Sequence, residues 1–126
     1  MKTLFYRCPI CGNIILRVID SGVTPVCCNQ PMLELKPNTI DASQEKHVPV
    51  ITSLGEGHYR VSVGSIPHPT TEEHHIQFLY LATEHGGQLR YITVGEPAVA
   101  EFSDIKDKIT GAYAYCNLHG LWYAEA

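Results

Sequence analysis

Four of the five cysteines fall in the first quarter of the chain, as Cys8-x-x-Cys11 followed by the adjacent pair Cys27-Cys28. Thiolates are soft ligands, and four in one short segment read as a closed tetrahedral metal site with a structural or electron-transfer role. Zinc and iron both accept such a set, and the spacing does not choose between them. In zinc ribbons both halves are usually C-x-x-C, whereas here the second half has no spacer, so two sulfurs must reach one ion from successive residues. The fifth cysteine carries a different signal. Cys116 precedes His119 by three residues, a common bite for a metal, and the other six histidines, His47, His58, His68, His74, His75 and His85, lie between the two cysteine groups. This distribution points to a second site with mixed sulfur and nitrogen donors.

Taken singly, the histidines differ. His58 lies on the polar face of an alternating run and reads as solvated. His85, in Glu84-His85-Gly86-Gly87, reads as an ordinary turn residue. His47 precedes an apolar run and His68 sits between Pro67 and Pro69, where either alone would be structural. With Cys116 and His119 added, separate segments are expected to converge on one ion. His74 and His75 are neighbours, so on a strand they face opposite sides and at most one joins the site. Glu45 and Lys46, beside His47, read on their own as a solvated charge pair.

The elements that must carry these donors are strands. His58–Val63 alternates, with Tyr59, Val61 and Val63 on one face. Residues 48–51, 76–82, 89–94, 98–102 and 112–116 are further β-rich runs separated by Gly, Pro or charged turns. No twelve-residue stretch holds a helical stripe, and Asp104 to Lys108 reads at most as one helical turn. The fold expected is all-β, an immunoglobulin-like antiparallel β-sandwich. Before it, residues 1–36 hold the four cysteines, the apolar run Ile14-Ile15-Leu16 and a turn at Asp20-Ser21-Gly22. So short a module cannot build its own core, and metal or dimer contacts must supply the missing stability. The polar Lys36-Pro37-Asn38-Thr39 marks the boundary.

Composition narrows the partners. The 126 residues suit one compact domain plus a small metal-stapled module. A net charge of −4 with scattered basic residues argues against nucleic acid. No stretch approaches a membrane span or a secretory leader, so a cytoplasmic location is expected, where clustered cysteines bind metal more often than they form disulfides.

The motifs together resemble a known family. FYRCPICGNI with VCCNQPM is similar to the desulforedoxin-type iron module, and EKHVPVI, VGSIPHPTTEEHHI and AYCNLHGLW are similar to the three ligand segments of the neelaredoxin-like superoxide reductase domain. In this order they resemble desulfoferrodoxin, the two-iron class of superoxide reductase, over nearly the whole chain. The resemblance implies two iron ions per chain: one held by Cys8, Cys11, Cys27 and Cys28 in residues 1–36, the other by His47, His68, His74 and His119 in a plane with Cys116 axial, in a catalytic domain spanning 37–126. It implies reduction of superoxide to hydrogen peroxide, a rubredoxin-like electron donor and a homodimer. It also turns Glu45 and Lys46 into catalytic candidates, Lys46 attracting the anion and Glu45 occupying the sixth position of the ferric resting state. The family usually has an aromatic residue where this chain has His75, which leaves open a register with His75 in place of His74, although spacing from His68 favours His74. Two other classes remain open on the residues alone: a non-catalytic iron electron carrier, and a zinc-stapled protein-interaction module.

Overall fold

The computed structural model describes residues 2–40 and 42–126. By its contacts the chain divides into two compact units, Met1–Lys36 and Pro37–Ala126.

The first unit has little apolar material to bury, and its architecture reflects this. Strand β1 (Phe5–Arg7) pairs antiparallel with β2 (Ile14–Leu16), while β3 (Val26–Cys27) and β4 (Gln30–Pro31) make a separate hairpin and β5 (Leu33–Glu34) pairs with β1. Its buried cluster is Leu4, Tyr6, Cys8 and Met32, with Cys27 packed against it. Val18, Ile19, Val23 and Val26 remain exposed. Arg17 organises the intervening loop: its guanidinium bonds the Val23 carbonyl, pairs with Asp20 at 3.3 Å and lies 5.6 Å from the Tyr6 ring centroid. An apolar cluster of this size falls short of what a free-standing domain needs, so the sulfur donors within it are part of its stability.

The second unit is a β-sandwich. A single helical turn, α1 (Gln44–His47), leads into β6 (Pro49–Gly55), β7 (His58–Val63), β8 (Ile76–Thr83), β9 (Gly86–Tyr91), β10 (Val99–Phe102), β11 (Ile109–Cys116) and β12 (Gly120–Glu125). One sheet has the order β10-β7-β6 and the other β12-β11-β8-β9, with every pairing antiparallel. Alternation decides which side chains meet between the sheets. Val61 and Val63 of β7 and Phe102 of β10 face Leu79 and Leu81 of β8 and Ala112, Ala114 and Cys116 of β11, all buried. Each large apolar side chain so buried contributes roughly 1.5–3 kcal/mol relative to exposure. Cys116 is thus the last inward residue of a core strand, which places the sulfur at the end of the sandwich.

Several local expectations shift. Asp104 to Lys108 is not helical, and Asp104 has φ of +56°; its chain turns to let Ile105 N–H donate to the Gly57 carbonyl at 3.0 Å. Strand β9 starts earlier than the run 89–94, because Gly86 and Gly87 pair with Thr83 and Ala82. A side chain at Gly87 would meet the Tyr80 ring at 2.3 Å, so glycine makes room for the tyrosine. Strand β12 lies outside all the β-rich runs of the sequence. Among the described residues, no helix is long and apolar enough to cross a membrane.

Candidate metal centres

The Cys27-Cys28 pair solves its geometric problem with a turn. Cys27 pairs with Gln30 across the β3–β4 hairpin, and the two residues between, Cys28 and Asn29, have φ of +53° and +58°. Positive φ at both central positions is the signature of the type I′ hairpin turn. On a regular strand successive side chains point to opposite faces; the left-handed residue brings the Cys28 sulfur back within 3.9 Å of that of Cys27. On the other side, the Cys8–Gly12 loop closes through Gly12 N–H to the Cys8 carbonyl at 3.1 Å and Cys8 N–H to the Asn13 carbonyl at 2.8 Å. All four sulfurs lie within 4.8 Å of one another. Backbone amides of Ile10 and Cys11 both donate to the Cys8 sulfur at 3.4 Å. Led by the Cys11 amide, they lower its pKa to about 6, while the neighbouring sulfurs of Cys11, Cys8 and Cys27 push Cys28 up to about 12. Four thiolates so crowded repel one another unless a cation sits among them, and the tetrahedral sulfur set fits iron.

In the second unit, four imidazoles form a square. Ring centroids are 4.7 Å apart for His47 and His68, 4.6 Å for His68 and His74, 4.9 Å for His74 and His119, and 4.8 Å for His119 and His47. Each adjacent pair is edge-on, with interplanar angles of 80°, 81°, 78° and 87°, whereas His47 and His74, on one diagonal, are 6.1 Å apart and tilted by only 28°. The donor atoms of His47, His74, Cys116 and His119 all lie within 4.8 Å of one another. Facing nitrogens of His47 (Nε2) and His119 (Nδ1) are 3.0 Å apart, the spacing of two donors at right angles about an ion ~2.1 Å from each.

The tautomers are set from outside the square. His47 Nδ1 donates to the Ser43 carbonyl at 2.6 Å and His68 Nδ1 to the Pro69 carbonyl at 2.7 Å, so both leave Nε2 without a proton. His68 Nε2 and His74 Nε2 are buried and have no hydrogen-bond partner. An unpaired buried nitrogen costs ~1–3 kcal/mol, and two side by side are the mark of a site that expects a cation. Burial lowers the pKa of His47, His68 and His74, that of His68 to about 4, which keeps the rings neutral and ready to ligate. Burial pushes the Cys116 thiol up, against the backbone amides of His119 and Leu118 that favour the thiolate. Four neutral nitrogens and one sulfur suit a mid-row metal such as iron, which would take one ligand more than these five.

The structure also separates the adjacent histidines. His74 belongs to the square; the His75 ring turns away and its Nδ1 donates to the Thr71 carbonyl at 3.0 Å. Asn117 and Trp122, to which sequence reasoning assigned no role, hold the arrangement. Asn117 accepts the His75 amide at 2.9 Å and donates to the Glu73 carbonyl at 3.0 Å, tying the His74 segment to the Cys116 loop. Trp122 stacks on His47 with centroids 4.9 Å apart and donates its indole N–H to the His119 carbonyl at 3.1 Å. A local clue was present, since Trp122 lies three residues after His119.

Glu45 and Lys46 are exposed on α1, the turn that carries buried His47. Lys46 stands close enough for its charge to disfavour protonation of both His47 and His74. His58 is exposed, as expected. His85 is not an ordinary turn residue: its ring pairs with Asp107 at 3.0 Å, bridging the β8–β9 turn to the segment before β11.

A small antiparallel β protein with one tetrathiolate site and one four-imidazole, one-thiolate site is a two-centre, non-haem iron protein. The comparisons narrow this class. Residues 39–125 match the family model described as desulfoferrodoxin and residues 2–35 the model of the desulfoferrodoxin N-terminal domain, so the chain belongs to the desulfoferrodoxin family. It is 42% identical over 121 residues to a desulfoferrodoxin of Nitratidesulfovibrio vulgaris, covering 96% of this chain and 94% of that one. It is 41% identical over 102 residues to a superoxide reductase of Pyrococcus horikoshii, covering 68% of this chain and 89% of the relative. The crystal structure of the superoxide reductase from Treponema pallidum superposes with a TM-score of 0.82 at 30% identity, over 99% of this chain and all of the other.

Proposed function

We propose that this protein is a superoxide reductase, with residues 1–36 a four-cysteine iron module and residues 37–126 the catalytic domain. The observation that carries the reading is the convergence of neutral, partnerless imidazole nitrogens and the Cys116 sulfur at the end of the sandwich, with Lys46 beside them. Family membership and the named relatives support it. His47, His68, His74, His119 and Cys116 would hold the catalytic iron, and Cys8, Cys11, Cys27 and Cys28 the other. Ferrous iron held there would supply the one electron that, with two protons, converts superoxide to hydrogen peroxide.

The rest is done by the chain. The Ser43 and Pro69 carbonyls orient His47 and His68 before any ligand arrives. The amides of Leu118 and His119 draw charge from the Cys116 sulfur and so temper its donation to the metal. Lys46 offers the only charge opposite to the anion within its own helical turn, and positive charge beside an open site raises the encounter rate of an anion. Glu45, beside it on the same turn, would be the carboxylate nearest the iron's ligand His47 and so the group able to cover that site. A rubredoxin-like donor returns the electron, and the protein works in the cytoplasm as a homodimer.

The decisive measurement is stoichiometry. Prereduced, iron-loaded protein exposed to a radiolytic pulse of superoxide should yield one hydrogen peroxide per superoxide consumed and no dioxygen. Dioxygen at half the superoxide consumed would make it a dismutase, and no reaction would make it an electron carrier.

A further inference from the structure

Glu45 and Lys46 stand on an element that cannot hold itself. Helix α1 is four residues long and its N-cap, Ser43, makes no side-chain capping bond; a single turn is well short of the length at which a helix persists in water. Its position is set instead by the chain that follows β7. Gly64 N–H donates to the Val48 carbonyl at 2.9 Å, Ile66 N–H to the Glu45 carbonyl at 3.0 Å, and the Ser65 hydroxyl to the same Glu45 carbonyl at 3.5 Å. The turn therefore grips the backbone of Glu45-Lys46-His47 at both ends. Gly64 sits at the closest approach, with φ of +76°, and an added Cβ would stand 2.4 Å from the Glu45 carbonyl oxygen and 2.8 Å from the Lys46 carbonyl carbon. Both are backbone atoms, which cannot rotate aside as a side chain would.

We propose that the Gly64–Ser65–Ile66 turn is a clamp that sets where Glu45 and Lys46 stand over the open face of the catalytic iron, with Gly64 as its positioning residue. The proposal rests on the reading of Glu45 and Lys46 as working residues. Because the carbonyls of Glu45 and Val48 are pinned while the side chains of Glu45 and Lys46 are exposed, the clamp fixes the platform and leaves the charges free to swing. Widening it by one methyl displaces both charges without removing a ligand or a charge.

Gly55 provides a matched control. It has φ of +88° in the β6–β7 turn with nothing within 4 Å of its virtual Cβ, so Gly55→Ala carries the same backbone strain and none of the collision. Gly64→Ala should retain both irons, shift the ferric absorption of the catalytic site, speed hydrogen exchange in the peptide spanning 43–48, and slow the reaction with superoxide ~10-fold with a weaker salt dependence. Gly55→Ala should lower the thermal midpoint and leave spectrum, exchange at 43–48 and rate unchanged. If Gly64→Ala does not fold, replacing the Ile66 amide by a backbone ester removes one clamp bond without adding an atom, and the same signature should appear at about threefold. Wild-type rate and spectrum in the clamp variant, or equal losses in the two glycine variants, would overturn the proposal. Lys46→Ala separates it from its premise: if that variant reacts as fast as wild type the premise fails, and if it is slow while Gly64→Ala is fast only the clamp fails.

Discussion

The two metal centres are built on opposite principles. In the first unit the donors are delivered by turns, the Cys8–Gly12 loop and the left-handed Cys28-Asn29 pair, around a buried cluster of four residues. In the second, the donors come from three separate segments and gather at the end of a core that runs through both sheets. The first unit has little core to stand on without its sulfur donors; the second has a core that brings its donors together. Polar satisfaction follows the same line. The Cys8 sulfur accepts amide bonds from Ile10 and Cys11, whereas His68 and His74 keep buried nitrogens that no described residue bonds.

The strongest way to break the comparison is through the sulfur of the second site. Cys116→Ser should abolish the thiolate-to-iron absorption and reduce turnover at least ~100-fold, since even removing partners outside the ligand set costs 10–100-fold, with the tetrathiolate spectrum intact. Retention of both signals would show that Cys116 is not a ligand. Next is the ring square: His74→Ala should lose the second iron and His75→Ala keep it, as iron counted per chain will report. The reverse result would move the ligand by one residue. Independence of the centres is sharpened by metal removal. Cys28→Ser should bleach the first site and raise hydrogen exchange across residues 2–35, while superoxide reduction stays within about twofold and exchange in β8 and β11 is unchanged. Spreading of the loss into those strands would join the two units into one folding unit.

The smallest effect belongs to the His85–Asp107 pair, far in sequence from any ligand. The Asp107 carboxylate raises the His85 pKa, so the pair's stabilisation is fully present below the unfolded-state value of about 6.5 and disappears as pH rises through the folded value. The difference in thermal midpoint between wild type and His85→Gln should be a degree or so at pH 5.5, in keeping with an exposed ion pair, and absent at pH 9. A difference that grows with pH would reverse the assignment.

These contrasts also explain what the sequence made legible. The alternation in His58–Val63 named the inward residues of β7, because one covered face enforces a period of two. The ligand types were legible because donor chemistry resides in side chains. What was hidden depended on partners distant in the chain. Strand β12 buries two adjacent residues, Leu121 and Trp122, so it shows no period of two, and its pairing with β11, from Cys116↔Gly120 to Gly111↔Glu125, defines it better than its own composition. The helical turn α1 left no periodic trace, since four residues held by the chain after β7 need no stripe of their own. The choice of His74 over His75 was legible as spacing, but its cause, the Asn117 and Thr71 bonds that rotate one ring inward and the other out, is tertiary.

Trp122 has a use beyond holding two ligands. It is the only tryptophan in the chain, and its indole lies against His47 in the catalytic unit. Excited at the long-wavelength edge, where its seven tyrosines do not absorb, the protein emits from this one indole, beside the histidine site. Emission excited at the tryptophan band is a built-in gauge of iron at the histidine site, quenched as that site fills. Reconstitution can then be followed centre by centre in a protein whose two irons overlap in every bulk assay of metal content.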